Sequence, residues 1–563
     1  MSNSQIRRMW VVALGLSFAA LVVVGRLFAF QMFQGEEFKE ILIKELPVTD
    51  QPERGVIYDR NGAILAVDRW DYRVAVSPSI ISDSEELASE LAPILQIPRS
   101  QLLYDMESPY MYVVLAPRVT SDVADAIREL EYADEVQLDP LPRRFYPQDQ
   151  LMCHVLGYVN YDNIGGAGVE GEYQSELAGE AASDTVSISP LREQKSVIAR
   201  EGSDLVLTID RNIQYVVERH LKEALVEHGA VSGSIIVMNP RTGAILAMAA
   251  EPCYSPNEVL EIPEGATFNP LVSAAYEPGS VMKLITMAAA LDSGTVTPQT
   301  TYVDNGAIEV GGHISYNWDR GAHGTVDMTT LLARSLNVGA ATIATWMGPT
   351  TFYDYYQRFG FGRPTNIDIM SEAEGLMPLP GGSDWQESFL ATNSYGQALA
   401  VTPLQMISSV SALANGGVLM QPYVVAEIRD GDDVRRHEPT PAGQVISAET
   451  AAQMTAMATV AVQQEVQEAL VEGYTVAGKT GTAQIAEPFG YHPTDVIGSF
   501  IGWLPADDPQ MIVFVKLDRP TSAPWGSMTA APVFSKLAKE LVVLLDIPPD
   551  AIRLQANSGM GGG

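Results

Sequence analysis

A serine followed three positions later by a lysine puts both side chains on one face of a helix, one turn apart. Here Y-E-P-G-S-V-M-K-L-I-T-M-A-A-A-L sets Ser280 and Lys283 in that relation, where a Pro-Gly turn gives way to an apolar helical run. A serine hydroxyl is a weak nucleophile until a base takes its proton. Lysine serves as that base only when burial or a neighbouring cation lowers its pKa. Val281, Met282, Leu284 and Ile285 supply the apolar surroundings, and a helix start favours the negative charge that develops on the serine oxygen. Ordinary capped helices produce S-x-x-K by chance, but Lys283 is the only lysine of the chain with a serine three positions before it.

A second run, V-A-G-K-T-G-T-A-Q, places Lys479, Thr480, Gly481 and Thr482 in an alternating strand. Gly481 weakens a strand, which is sensible where a ligand or another backbone must come close. Lys479 offers a cation, and the threonine hydroxyls can hold a carboxylate. A tight hairpin corner would explain G-K-T-G taken singly. A phosphate-binding loop is the other rival, with Gly473 as its first glycine, but the strand–loop–helix context is missing. The third element, S-x-N, occurs as Ser255–Asn257, Ser315–Asn317 and Ser335–Asn337. The first is a Pro-containing turn ahead of Ser280. The last joins two apolar helical runs, M-T-T-L-L-A-R and V-G-A-A-T-I-A-T, a rigid mount for a hydroxyl and a carboxamide, so Ser335 and Asn337 are preferred. Each motif alone is weak; their order S-x-x-K, S-x-N, K-T-G is the pattern of penicillin-recognising serine enzymes. Metal chemistry has no comparable support: there is no H-E-x-x-H, and Cys153 and His154 are adjacent rather than ligand-spaced. No metal or cofactor is expected.

The elements that must position these residues follow from the rest of the chain. At 563 residues it exceeds one core, and 46% hydrophobic with 18% charged residues describes a folding chain. The 35 Lys+Arg against 69 Asp+Glu argue against a nucleic-acid footprint, which needs a basic face. Residues 9–25 are uncharged and apolar behind Arg7 and Arg8, and apolar character resumes after Arg26. No small-x-small cleavage site follows, so an uncleaved anchor is expected, N-terminus cytoplasmic and the remainder exported. Cys153 and Cys253 make no disulfide framework; sequence leaves their pairing open, and two isolated small apolar residues are the plainer expectation.

Q-P-E-R-G-V-I-Y-D-R-N-G-A-I-L-A reads as a β-hairpin turning at D-R-N-G. D-L-V-L-T-I-D reads as a strand, with Asp210 capping a helix from Arg211. Hairpin strands G-S-I-I-V-M-N and A-I-L-A-M-A, two more in 495–505 and 510–517, and helices between them predict an α+β domain on an antiparallel sheet flanked by helices. The expected organisation is a cytoplasmic tail (1–8), a transmembrane anchor (9–33), an elongated mixed α/β pedestal (34–210), a catalytic domain (211–550) and a disordered tail (551–563).

With these motifs in place, the chain resembles the class B penicillin-binding proteins from the anchor to about residue 545. The pedestal signature appears as R-G-V-I-Y-D-R-N-G, R-F-Y-P, H-V-L-G-Y-V and G-V-E-G-E-Y, which includes Glu170. The catalytic part is similar in Y-E-P-G-S-V-M-K, S-L-N-V-G, F-G-F-G, S-Y-G-Q, V-T-P-L-Q, A-N-G-G and G-S-F-I-G-W-L-P-A-D-D-P. The resemblance implies a penicillin-binding transpeptidase fold and a peptidoglycan D,D-transpeptidase. In it Ser280 attacks the penultimate D-Ala carbonyl of a stem pentapeptide, Lys283 is the base and Ser335 relays the proton to the leaving amine. Asn337 holds the donor amide, and Lys479 tunes the field around Lys283. Thr480, Gly481 and Thr482 receive the terminal carboxylate, and the N–H groups of Ser280 and Thr482 form the oxyanion hole.

The resemblance also implies the partners: D-Ala-D-Ala stem peptides, β-lactam antibiotics, the membrane, and a SEDS-type glycosyltransferase (FtsW/RodA type) among divisome or elongasome proteins. G-Y-H-P together with S-F-I-G-W-L-P leans towards a septal role. The rival expectations are a D,D-carboxypeptidase or β-lactamase on the same scaffold, and a non-catalytic scaffold or β-lactam sensor.

Overall fold

A computed structural model describes residues 52–180, 183–184, 196–197, 200–487 and 490–560. Residues 53–179 and 201–563 make one compact unit. In a second unit, Ser183–Asp184 pairs antiparallel with Ser196–Val197. The segment expected to be the anchor, residues 9–33, lies outside the described residues. Among the described residues no helix is long and apolar enough to cross a membrane.

The D-R-N-G hairpin forms as its residues dictate. Strand β1 (Ile57–Tyr58) pairs antiparallel with β2 (Ile64–Val76). Gly62 takes the left-handed φ of +86° that the turn needs, and the buried Asp59 carboxylate accepts the N–H groups of Asn61 and Ala63. β2 also pairs with β3 (Val113–Val119) and β4 (Val136–Phe145). β5 (Asp204–Leu207) lies parallel to β1.

The pedestal motifs converge on one buried ionic cluster. Arg54 of R-G-V-I and Arg144 of R-F-Y-P both donate to the Glu170 carboxylate of G-V-E-G at 2.6 Å, and Arg144 also reaches Asp68 at 3.1 Å. Burial alone would push the Glu170 carboxyl up, but the two guanidiniums hold it below the usual carboxylate range.

Asp210 caps α1 (Arg211–His228) through the N–H groups of Asn212 and Ile213, and α1 leads into β6 (Ser232–Met238) and β7 (Ile245–Glu251). The helices that mount the site are α2 (Lys283–Asp292), α3 (Met328–Arg334) and α4 (Asn337–Arg358). Strands β8 (Val425–Asp430) and β9 (Asp433–Arg436) leave this part of the chain and complete the pedestal sheet, in the order β9-β8-β5-β1-β2-β3 with β4 on β2. Then come α5 (Ala448–Glu465), β10 (Ala477–Glu487), β11 (Gly490–Leu504), β12 (Met511–Asp518) and α6 (Ala530–Leu544).

The catalytic sheet is antiparallel in the order β10-β11-β12-β6-β7. Its inner strands β12, β6 and β7 are apolar at most positions because both faces are covered. Ile235, Val237, Val513 and Val515 pack with α1 and α6. Ile236, Met238, Ile512 and Phe514 point to the other face and join the core that contains α2. α2 is buried along Lys283–Leu291, as expected of a helix with no polar face apart from its lysine.

Two expectations are corrected. Cys153 and Cys253 form a disulfide across 100 residues of sequence rather than standing as isolated apolar residues. The region expected to be a disordered tail is helical over α7 (Asp550–Met560). This helix is anchored at its start by the Asp550 carboxylate accepting the Thr475 N–H and by Arg553 pairing with Asp507 and Asp550. The glycines at its end masked the helix-forming residues before them.

Candidate active site

Ser280 lies in the tight turn Gly279–Met282 that feeds α2, with Gly279 at φ +58°. One turn on, Lys283 is 1% exposed. Its Nζ stands 3.0 Å from Ser280 Oγ and 3.1 Å from Ser335 Oγ, and donates to the Ser335 carbonyl and to Asn337 Oδ1, both at 2.6 Å. Burial, and after it the charge of Lys479, hold the Lys283 pKa well below that of an ordinary lysine. An amine whose hold on its proton is weakened in this way, within hydrogen-bond reach of two serine hydroxyls, is equipped to move protons between them.

Ser335 ends α3 in the left-handed conformation at φ +58°, and after Leu336 alone Asn337 opens α4. The two helices therefore present both side chains to Lys283 from one short link. Asn337 Nδ2 donates to the Tyr316 carbonyl at 3.0 Å, which orients the carboxamide with its oxygen towards the lysine.

The structure sorts the three S-x-N motifs. Asn317 is buried behind the site: its Nδ2 donates to Asp304, and its Oδ1 accepts the Val338 N–H of the first turn of α4. Ser315 pairs with the Tyr395 hydroxyl at 2.8 Å. Asn257 holds both backbone groups of Tyr146 in the pedestal at 3.0 Å, and Ser255 donates to Asp149. Only the third motif, Ser335 and Asn337, touches Lys283.

Lys479 comes from β10, the edge strand, and is 2% exposed. Burial lowers its pKa to about 8, while the Glu465 carboxylate pulls the other way. Its Nζ donates to the Thr480 carbonyl at 3.2 Å and to the Thr480 hydroxyl at 3.3 Å. K-T-G sits in a strand, which removes the phosphate-loop alternative. A Cβ on Gly481 would come 2.8 Å from Val281 Cγ2 and 3.1 Å from the Pro278 carbonyl, so glycine is what lets β10 lie against the turn that carries Ser280. The Thr482 hydroxyl accepts the Gly526 N–H at 3.1 Å.

Several residues near the cluster escaped the motif reading. Trp318 donates its indole N–H to the carbonyl of Arg334, the neighbour of Ser335. Trp525 precedes Gly526, and the two indoles meet edge to face at 5.6 Å. Glu277, three residues before Ser280, accepts from Ala398 N–H and the Tyr491 hydroxyl. Exposed aromatics and lone acids carry no spacing signature; Asn317 carried one, as the second S-x-N.

The fold and the cluster define a serine acyl-transferring enzyme. Residues 233–539 match the family model described as penicillin binding protein transpeptidase domain, and residues 49–207 match that of the penicillin-binding protein dimerisation domain. Stage V sporulation protein D of Bacillus subtilis is 32% identical over 94% of this chain and 84% of its own length. The peptidoglycan D,D-transpeptidase FtsI of Escherichia coli is 29% identical over 89% and 85%. Penicillin-binding protein 3 of Mycobacterium tuberculosis, solved with aztreonam, superposes with a TM-score of 0.70 at 28% identity, covering 89% of this chain and 98% of that one. The chain belongs to the class B penicillin-binding proteins.

Proposed function

We propose that this chain cross-links peptidoglycan as a serine D,D-transpeptidase. The observation that carries the proposal is the buried Lys283 amine, within 3.0 Å of Ser280 Oγ and 3.1 Å of Ser335 Oγ. Lys283 takes the Ser280 proton as Oγ attacks the penultimate D-Ala carbonyl of a stem pentapeptide. The N–H groups of Ser280 and Thr482 hold the oxyanion. The C–N bond to the terminal D-Ala then breaks, its amine taking a proton through Ser335. Asn337 holds the donor peptide amide, Lys479 tunes the field around Lys283, and Thr480, Gly481 and Thr482 receive the terminal carboxylate. An amine from a second stem peptide attacks the acyl-enzyme, forms the cross-link amide and frees Ser280. β-Lactams acylate Ser280 in place of the donor.

The same reading gives the chain one transmembrane anchor over residues 9–33, a cytoplasmic N-terminus and an extracytoplasmic catalytic domain. It is supported by the uncharged run 9–25 behind Arg7 and Arg8, and by the Cys153–Cys253 disulfide, a bond that persists in oxidising compartments. A SEDS-type glycosyltransferase (FtsW/RodA type) is its membrane partner. Similarity to FtsI supports a septal role.

The test is intact mass of the full-length chain in detergent after incubation with a penicillin, beside Ser280→Ala. A stable one-to-one adduct on Ser280, absent from the variant, is expected. Intact drug with no adduct would overturn the catalytic assignment, and rapid drug turnover would make the chain a hydrolase.

A further inference from the structure

Glu277 takes no part in the chemistry above, yet it is built into the wall behind Ser280. Its Oε1 accepts two hydrogen bonds, from the Ala398 N–H at 3.0 Å and the Tyr491 hydroxyl at 3.3 Å, while Oε2 is buried without a partner. A solubilising glutamate would face water; this one is held where burial pushes its pKa up, and its two donors draw it back only in part.

The two donors belong to different segments. Ala398 closes the loop that begins with S-Y-G-Q, and Tyr491 lies on β11 opposite Ala486 near the far end of β10. Only Pro278 and Gly279 separate Glu277 from the nucleophile. The Gly279 N–H donates to the Gly396 carbonyl of the same loop at 3.0 Å, and a Cβ on Gly279 would stand 2.8 Å from the Thr482 carbonyl of β10. Proline fixes one φ of this link, and glycine occupies the left-handed region at +58°. Backbone packs on backbone here, and a shift at Glu277 passes through a stiff two-residue link to Ser280.

We infer that Glu277 is a positioning residue: it ties loop 394–398 and the β10–β11 hairpin to the Ser280 turn, and so sets where Ser280 Oγ stands relative to Lys283 Nζ and the Thr482 N–H. The inference rests on Ser280 being the nucleophile. Misplacement by about 1 Å at a reacting centre costs up to roughly 100-fold in rate. Losing the tie therefore slows acylation itself and leaves initial drug binding nearly unchanged.

The experiment follows acylation of the full-length chain in detergent by a fluorescent penicillin. It separates the acylation rate constant from the initial binding constant by their concentration dependence, with active protein counted by titration. Glu277→Ala is expected to lower the rate constant by about 10- to 100-fold at nearly constant initial binding. Glu277→Gln, whose amide oxygen can accept both bonds, restores most of it. Tyr491→Phe lowers the rate, and Glu277→Ala with Tyr491→Phe is no slower than Glu277→Ala alone, because both remove one tie. Should Glu277→Ala fail to fold, Glu277→Asp, one carbon too short to meet both donors, carries the same expectation. A normal rate constant in the active fraction of Glu277→Ala, or Glu277→Gln as slow as Glu277→Ala, overturns the inference. Failure of the unaltered chain to acylate at Ser280 overturns the proposed function instead.

Discussion

Replacing Lys283 by methionine removes the proposed base and keeps an unbranched side chain one atom shorter. General-base proton transfer contributes roughly 10²- to 10⁴-fold, which at ~1.4 kcal/mol per decade is about 3–5 kcal/mol of barrier. The structure sharpens what else changes. The Ser335 carbonyl and Asn337 Oδ1 each lose a donor at 2.6 Å, while the cost of burying an amine that is 1% exposed disappears. These effects oppose one another, so the thermal midpoint should move little while acylation by penicillin falls by two to four decades.

The pH profile separates this from a mere loss of shape. Only the unprotonated amine accepts the Ser280 proton, so the acylation rate of the unaltered chain rises with pH through the folded pKa of Lys283 and then levels. Burial and Lys479 depress that pKa, which puts the rise below the ~10.4 at which a free lysine titrates. Lys479→Gln removes the neighbouring cation and should move the rise to higher pH. Between the folded value and ~10.4 the unfolded chain holds a proton that the folded chain has released. The Lys283 contribution therefore makes stability increase with pH across that window, and below it burial of the ammonium is a full cost. The readout is penicillin acylation by stopped flow across pH, with circular dichroism as the check on folding. An unchanged rate in Lys283→Met, or the same pH rise surviving in it, would refute the assignment of Lys283 as base.

Glu170→Gln leaves Arg54 and Arg144 buried without their shared counter-charge, and a loss of roughly 3–5 kcal/mol should appear as a lower thermal midpoint. The Glu170 carboxyl is held below its usual range, so its contribution is present above the unfolded value of ~4.3 and fades as pH falls through the folded one. A variant no less stable at neutral pH contradicts this. Reducing the Cys153–Cys253 bridge, or Cys153→Ser, reopens a loop of 100 residues; a loss of about 2–4 kcal/mol is expected in denaturant unfolding, and coincident curves would count against it. Gly481→Ala forces a methyl to 2.8 Å from Val281 Cγ2 and should cut acylation by roughly 100-fold; wild-type acylation would show that β10 need not lie so close. Trp318 and Trp525 meet beside the cluster, so acylation should change intrinsic fluorescence, and Trp318→Phe should reduce the change; equal changes in both proteins would place the signal elsewhere.

How much of this was legible in the sequence depended on whether a constraint is local. The turn at Asp59, the cap at Asp210 and the helix after Ser280 each follow from neighbours a few residues apart, and all form as read. The disulfide was not legible, because nothing in the neighbourhoods of Cys153 and Cys253 encodes a contact across 100 residues. The contribution of β8 and β9 to the pedestal sheet was equally hidden, since pairing partners are not written in a strand's own alternation. Within the site, spacing revealed Ser280 and Lys283, and context selected Ser335 and Asn337. Glu277 stayed invisible because its role comes from Ala398 and Tyr491, far away in sequence.

Those long-range contacts also decide how the pedestal motifs relate to catalysis. β8 pairs with β5, so the catalytic part of the chain supplies two of the seven strands of the pedestal sheet. Half-buried Asp368 accepts the N–H groups of Val424 and Val425 at the start of β8 and also the hydroxyl of Tyr173, the last residue of the G-V-E-G-E-Y that holds Arg54 and Arg144. Asn257 clasps Tyr146 of R-F-Y-P, and the disulfide closes alongside it. The Asp59 carboxylate receives the first N–H of α1, the helix that backs the catalytic sheet. Each pedestal motif therefore ends on a contact to the catalytic part. A hinge between two domains would need few crossing contacts and a polar, exposed linker, whereas here a shared sheet, a covalent bridge and buried polar ties cross the junction. A rotation of the pedestal as a rigid lever would have to break β-ladder hydrogen bonds.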